Sequence, residues 1–241
     1  MNSLLSNRFR FDTFIRGNSN LHAYSAAIKI SNYPGVYNPL YIYGDAGIGK
    51  THLAQATAHH IQKANDNISL MHIEPLDFYS EFTYALENNM VSELQEKYLS
   101  NDLLIFKNIQ SYENKINMQC ALFYLIKKII NKKKQIIITA NKLPYDLNNF
   151  DNEIVAYLKN GLLIEIKAPD LPLRVKYIHY KSRETGSKID PEVIDVAANK
   201  ISSSMRALES AVLKLNAFRD FYGNDLTISK AIECIKVFFD E

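Results

Sequence analysis

The sequence predicts an α/β fold: a parallel sheet covered by helices on both faces, followed by a small helical domain. Three observations predict it. Five short apolar runs alternate with helix-patterned segments, a glycine-rich stretch joins the first run to a helical segment, and after Ile166 the strand-like runs stop while helical patterns continue. An apolar run without alternation needs burial on both faces, which a parallel sheet between helix layers supplies.

The expected strands are PLYIYG (39–44), ISLMHIE (68–74), DLLIF (102–106), QIIITA (135–140) and LLIEI (162–166). Between them, Thr51 to Lys63, Pro75 to Glu87, Met90 to Leu99 and Ile116 to Asn131 carry helical patterns. In the last of these, Met118, Leu122, Leu125, Ile126 and Ile129 recur at the helical period. KAPDLP then breaks the chain, with Asp170 as an N-cap, and helices are expected over Leu171 to Thr185, Asp190 to Lys200, Ser203 to Phe221 and Thr227 to Phe239. Asp190-Pro191 supplies a cap and a first-turn proline, and Ser203 or Ser204 caps the next helix. The expected division is residues 1–167 for the α/β domain and 168–241 for the helical one, with no internal repeat and no long linker.

At 241 residues and 47% hydrophobic, the chain is long enough to bury a sizeable core. No apolar run approaches the roughly 18 to 20 residues that span a bilayer, and the start, MNSLLSNRFRF, lacks a long apolar segment before a cleavage site. The expected location is therefore cytoplasmic, with no membrane partner. Cys120 and Cys234 both lie inside apolar helical runs, which points to core thiols and away from a disulfide framework or zinc site. A net charge of +2 gives no mandate for nucleic acid. The basic run KKIINKKK, Lys127 to Lys134, reads first as a solvated helix end that suits the macrodipole and second as a DNA patch.

The chemistry-bearing motif is GDAGIGKT: Gly44, Asp45, Ala46, Gly47, Ile48, Gly49, Lys50 and Thr51, followed by His52. It fits G-x-x-x-x-G-K-[ST], with a strand before it and a helix after it. Glycines let backbone N–H groups turn inward around phosphates, Lys50 reaches the terminal phosphates, and Thr51 is placed to hold Mg²⁺ on the nucleotide. The competing reading is a glycine-rich turn without a ligand, and the flanking strand and helix count against it.

These residues resemble a known family. YNPLYIYGDAGIGKTHL is similar to the ATP-binding core of the bacterial DnaA/Hda branch of AAA+ proteins. FRFDTFIRGNSNLHAYSAA resembles the segment that opens that core and folds over the adenine, with Phe14 and Ile15 as the contacts. KYLSNDLLIFKNIQ resembles its third strand, IIITANKLP the strand carrying a polar sensor, and ISSSMRALESAVLKL the lid helix with its sensor arginine. The resemblance runs from about Phe9 to Phe238. It implies an AAA+ P-loop NTPase fold with a five-stranded parallel sheet and a C-terminal helical lid, ATP or ADP held between them, and a task in chromosomal replication initiation or its regulation. It also implies protein partners such as a DnaA-type initiator, with self-association possible. The outline, core plus lid, matches the shorter member Hda or the excised core of a longer initiator, although MNSLLSNRF departs from the short clamp-docking motif of Hda.

Carried over residue by residue, the resemblance puts the polar sensor at Asn141 and the lid arginine at Arg206. Asn141 also reads as a turn cap before Leu143-Pro144, and Arg206 as a surface arginine pairing with Glu209. The paired acids of the family's third strand are replaced by Lys107 and Asn108. Neither can anchor a metal shell or polarise water. Asp102 lies about 17 Å down the strand at the wrong end of the sheet, and Glu113 follows in the next loop. Lys107 either points at the phosphates or snorkels outward. The family's arginine finger belongs in DNEIVAYLKNGLL, which offers only Lys159, and the chain has no arginine between Arg16 and Arg174. VSELQEKYLS, where initiators carry basic residues for single-stranded DNA, is nearly neutral, so DNA binding is expected to be weak or indirect. The expectation is a nucleotide-binding module with weak or no hydrolysis. The alternative is an active ATPase, or a DNA-binding initiator or helicase-loader-like factor, using displaced residues such as Glu113 and Asn141.

Overall fold

The computed structural model describes residue 6, residues 8–223 and residues 227–240. Most of MNSLLSNRF lies outside these described residues. In chain order the elements are α1 (Leu21–Asn32), β1 (Leu40–Tyr43), α2 (Lys50–Ala64), β2 (Leu70–Ile73), α3 (Pro75–Glu87), α4 (Val91–Leu99), β3 (Leu103–Phe106), α5 (Ile116–Asn131), β4 (Gln135–Ala140), α6 (Asn152–Lys159), β5 (Leu162–Glu165), α7 (Leu171–Glu184), α8 (Pro191–Lys200), α9 (Met205–Tyr222) and α10 (Ile228–Ile235). The five strands form one parallel sheet in the order β2-β3-β4-β1-β5. All five apolar runs of the sequence are strands in it. Every residue of β3 and β4 is buried, which is why these runs show no polar alternation.

The chain divides into two compact units. The first comprises residues through Phe14, His22–Gly44 and Lys50–Glu165; the second comprises Ile15–Leu21, Asp45–Gly49 and the residues from Ile166 onward. The C-terminal boundary falls near the composition change, but the two short inserts, one of them the middle of the glycine-rich loop, group with the helices in a way no composition shift announces.

In the first unit, Phe78 of α3 is an aromatic hub. Its ring meets Tyr98, Phe106 and Tyr112 edge-on at centroid distances of 5.3, 5.9 and 5.8 Å, geometries in which ring edges face π-clouds. Pro75 starts α3 at its first turn, where a missing N–H costs nothing. On α5 the buried stripe is Met118, Gln119, Leu122, Leu125, Ile126 and Ile129. Cys120 falls outside it and is exposed, which corrects the expectation of two core thiols; only Cys234 is buried. One step around the helix from Gln119 already leaves the stripe, because successive residues are about 100° apart. Gln119 takes the buried place because its amide is satisfied, donating to the Tyr112 and Asn149 carbonyls at 2.9 and 3.0 Å and accepting from the Asp151 N–H at 3.2 Å.

In the second unit, α7 to α10 pack around Ile178, Val193, Ile194, Leu208, Val212, Leu215 and Ile235. The first three starts are capped as the sequence indicates. Asp170 accepts from Leu173 N–H at 2.9 Å, Asp190 from Glu192 N–H at 2.9 Å and Ser204 from Ala207 N–H at 3.3 Å. The choice between Ser203 and Ser204 thus falls to Ser204. Helices α1 and α6 have no counterpart in the sequence pattern. The buried residues of α1 are Ala23, Ala27, Ile30 and Ser31, too small a stripe to stand out, and α6 has only eight residues.

Gly161 marks the closest backbone approach inside the sheet, since a Cβ there would sit 2.1 Å from the Pro39 carbonyl oxygen, the acceptor of the Leu162 N–H at 2.9 Å. Gly161→Ala is expected to destabilise the protein by about 1–3 kcal/mol through forced separation of β1 and β5. The check is the urea midpoint at constant slope; a midpoint unchanged within error would mean the strands do not run this close.

Candidate functional site

The glycine-rich loop runs from the end of β1 into the first turn of α2. Gly44, Gly47 and Gly49 all take positive φ (136°, 77° and 111°), so the backbone folds back on itself as side chain-bearing residues rarely allow. Lys50 is 8% exposed, and its ammonium donates to the Gly44 carbonyl at 2.6 Å, bridging the loop at its base. Thr51 follows, half-buried, in the first turn of α2. A fifteen-residue helix thus starts at the inward-turned backbone with its positive dipole end toward it, an arrangement suited to phosphate oxygens.

Gly47 is the tightest point. A Cβ built on it would lie 2.2 Å from Ser204 Oγ and 3.3 Å from Arg206 Cβ, and the Arg206 N–H donates to the Gly47 carbonyl at 3.2 Å. All three residues belong to the second unit. The first turn of α9 therefore sits on the loop through backbone contact, and Arg206, an exposed residue, starts from beside it. Glu209, the alternative partner for Arg206, pairs with Lys181 at 3.3 Å.

The sheet register places the sensor candidate. Ala140, the last residue of β4, pairs with Tyr43, the last of β1. Asn141 and Gly44 are each one residue beyond that rung, on adjacent strands spaced about 4.8 Å apart. Asn141 is exposed and its N–H donates to Gln110 Oε1 at 3.3 Å. Gln110, in the turn after β3, thus supports the Asn141 backbone, a role that only a contact between separated segments reveals.

Phe14 is 6% exposed, packed edge-on to His52 at 5.1 Å and stacked on Tyr24 at 5.9 Å. His52 Nε2 in turn lies 2.9 Å from the Arg10 carbonyl. Phe14 and His52 thus tie the N-terminal segment to the start of α2, while the next residue, Ile15, is half-buried and accepts from Asn20 Nδ2 through its carbonyl at 3.0 Å.

The tip of β3 is where the resemblance puts a metal acid. The Lys107 ammonium donates to Glu74 Oε1 at 2.5 Å; the lysine side chain is 17% exposed and the glutamate 39%. Glu74 follows β2, on the far side of β3 from β4 and β1. Lys107 is therefore turned toward the sheet edge and not toward the loop after β1. Burial, and then the neighbouring Lys107, push the His72 imidazole below its ordinary pKa, so it adds no second cation beside Glu74, which lies 4.0 Å away. Asn108 sits in the left-handed region (φ 47°) and its N–H donates to Thr139 Oγ1 at 3.1 Å.

The displaced acids are also engaged. Asp102 accepts from Ser69 Oγ at 2.7 Å at the opposite end of β3. Glu113 pairs with Lys142 at 2.7 Å and accepts from the Asn148 N–H at 2.7 Å. Burial opposes its charge, but the hydrogen bonds from Lys142 and Asn148 outweigh it and hold the carboxyl below its usual range. The residues present thus fit nucleotide phosphate. For Mg²⁺ they supply the Thr51 hydroxyl but no acid at the β3 tip. The segment in which the resemblance puts an arginine finger includes α6, which carries Lys159, exposed, in its last turn.

Among the described residues, no helix is long and apolar enough to cross a membrane. Residues 5–165 match the family described as the bacterial DnaA ATPase domain. The chain is 33% identical to the chromosomal replication initiator protein DnaA of Limosilactobacillus reuteri over 98% of its own length and 54% of that protein's. It spans about half the length of the curated relatives it matches. Among solved structures it is similar to domain III of the Thermotoga maritima replication initiation protein DnaA, with a TM-score of 0.94, 27% identity and coverage of 99% of this chain and 100% of that one. It is also similar to AMPPCP-bound DnaA from Aquifex aeolicus, with a TM-score of 0.81, 27% identity and coverage of 92% and 70%.

Gly47→Ala is expected to lower stability by about 1–3 kcal/mol, because it meets both a positive φ and the Ser204 hydroxyl. Gly47→Ala combined with Ser204→Gly should recover part of the loss, since glycine is a tolerable cap. Thermal unfolding of both variants is the check; equal losses would exclude the steric contact as the cause.

Proposed function

Because the chain belongs to the bacterial DnaA ATPase-domain family, we propose that it binds ATP or ADP on the Gly44–Thr51 loop and serves chromosomal replication initiation or its regulation. It does so through protein partners, such as a DnaA-type initiator or further copies of itself, with weak or no hydrolysis. The AMPPCP-bound state of the Aquifex aeolicus relative supports the nucleotide. Gly44, Asp45, Ala46, Gly47, Ile48 and Gly49 supply backbone N–H groups, Lys50 and Arg206 supply charge to phosphate oxygens, and His52, Phe14 and Ile15 shape the approach of the N-terminal segment. Thr51 holds the metal through the nucleotide, and Asn141 orients water beside the terminal phosphate.

The observation that carries the weak-hydrolysis reading is the Lys107–Glu74 pair. In phosphoryl transfer the strand acid holds the metal, and an arginine finger is worth about 10³ to 10⁵ in rate. At the β3 tip this chain places a cation already neutralised by a glutamate, and α6 carries no arginine. Phosphate binding through the loop needs neither group, so binding and turnover separate.

Two measurements test this. A fluorescent ATP analogue should bind the wild-type chain and lose tenfold or more in affinity on Lys50→Ala, about 1.4 kcal/mol. Steady-state phosphate release at saturating Mg·ATP should stay near background for wild type. It should rise in Glu74→Gln/Lys107→Asp/Asn108→Asp, in which the strand acids return and the like charge of Glu74 is removed. Wild-type turnover comparable to a competent AAA+ protein, and abolished by Lys50→Ala, would refute the proposal.

A further inference from the structure

The turn before α9 is held by a residue from the far end of the lid. Asp240 Oδ2 accepts from the Ser202 N–H at 2.5 Å, the Ser202 hydroxyl at 2.7 Å and the Ser203 N–H at 3.0 Å, and Oδ1 accepts from the Ser203 hydroxyl at 2.6 Å. The Asp240 N–H donates to the Lys200 carbonyl at 2.8 Å, closing the contact on the end of α8. The Ser203 and Ser202 donors push the carboxyl down to about 2, so it is ionised throughout the neutral range. The next residue, Ser204, caps α9 and abuts Gly47, and two residues on, Arg206 donates its N–H to the Gly47 carbonyl.

We propose that Asp240 is a positioning residue for the phosphate loop: its carboxylate holds the Ser202–Ser203 turn, and that turn sets Ser204 and Arg206 against Gly47. A run of three serines has little conformational preference of its own, because each hydroxyl competes for nearby backbone groups. Four charge-assisted hydrogen bonds on one carboxylate remove that freedom, and such bonds are about twice as strong as neutral ones. Each serine then has a separate duty: Ser202 and Ser203 bind the acid, while Ser204 caps the helix and seats on the loop. The placement of the Arg206 side chain follows from that of its backbone, so the end of the lid influences phosphate affinity without approaching the phosphate. This effect on affinity rests on the reading that the loop binds nucleotide; the latch itself does not.

The experiment has two arms, using Asp240→Ala and the milder Asp240→Asn in the full chain. In the first, hydrogen exchange without nucleotide should show the amides of residues 202–207 exchanging about tenfold faster or more in Asp240→Ala, with β4 amides unchanged and Asp240→Asn intermediate. Unchanged exchange would overturn the latch. In the second, ATP and adenosine affinities are compared. Asp240→Ala should weaken ATP by about tenfold while leaving adenosine within about twofold, and the ATP effect should shrink to less than about twofold in an Arg206→Ala background. Equal losses for ATP and adenosine, or additivity with Arg206→Ala, would overturn the positioning role. If wild type binds neither ATP nor ADP, the nucleotide reading fails, and the exchange arm alone decides the latch.

Discussion

An ammonium placed at the end of a fully buried strand must either reach water or find an anion, because an unpaired buried charge costs several kcal/mol. Lys107 finds Glu74. The pair joins the carboxyl ends of β2 and β3, and Glu74 is also the residue from which α3 starts, its carbonyl accepting the Phe78 N–H at 3.0 Å. Phe78 then becomes the hub on which Tyr98, Phe106 and Tyr112 close. One ion pair thus sits where edge strand, neighbouring strand and covering helix meet, and it takes the place where related chemistry keeps an acid. The fold of the family tolerates the exchange because the charge is balanced locally, on the side of β3 away from the phosphate loop.

Around the loop itself, geometry matters more than charge. Positive φ at the three glycines turns the backbone inward, and Lys50 closes the base by bonding to Gly44. The tip is set by contact, with Ser204 filling the space a Cβ on Gly47 would need. This makes the loop tip, Asp45–Gly49, and the start of α9 parts of one packed unit, and the serines that precede α9 are in turn held by Asp240. Each step is a short local contact, and Ile48, 3% exposed, anchors the loop in apolar surroundings between them.

In the proposed function, binding and turnover therefore have different structural origins. Binding there rests on the loop and the helix dipole, which are local. Turnover depends on groups brought from separate strands and helices, and there β3 offers Lys107 and Asn108, α6 offers Lys159, and Glu113 is held by Lys142 and Asn148.

The sequence by itself determined what local physics can carry: the five strands, eight of the helices flanking and following them, the caps at Asp170 and Asp190, the phosphate loop and the loss of the strand acids. It could not show α1, whose buried stripe holds one large apolar residue, Ile30, or that Cys120 faces outward while Gln119 turns in. Nor could it choose between a Lys107 aimed at phosphate and one aimed elsewhere, because that choice rests on Glu74, 33 residues away in sequence and adjacent only through the pairing of β2 with β3. The contact of Ser204 with Gly47 and the roles of Gln110 and Asp240 were hidden for the same reason. Period, capping and loop motifs are properties of neighbours in the chain, whereas the partner of a side chain is set by which strands and turns the sheet order and the lid packing bring together.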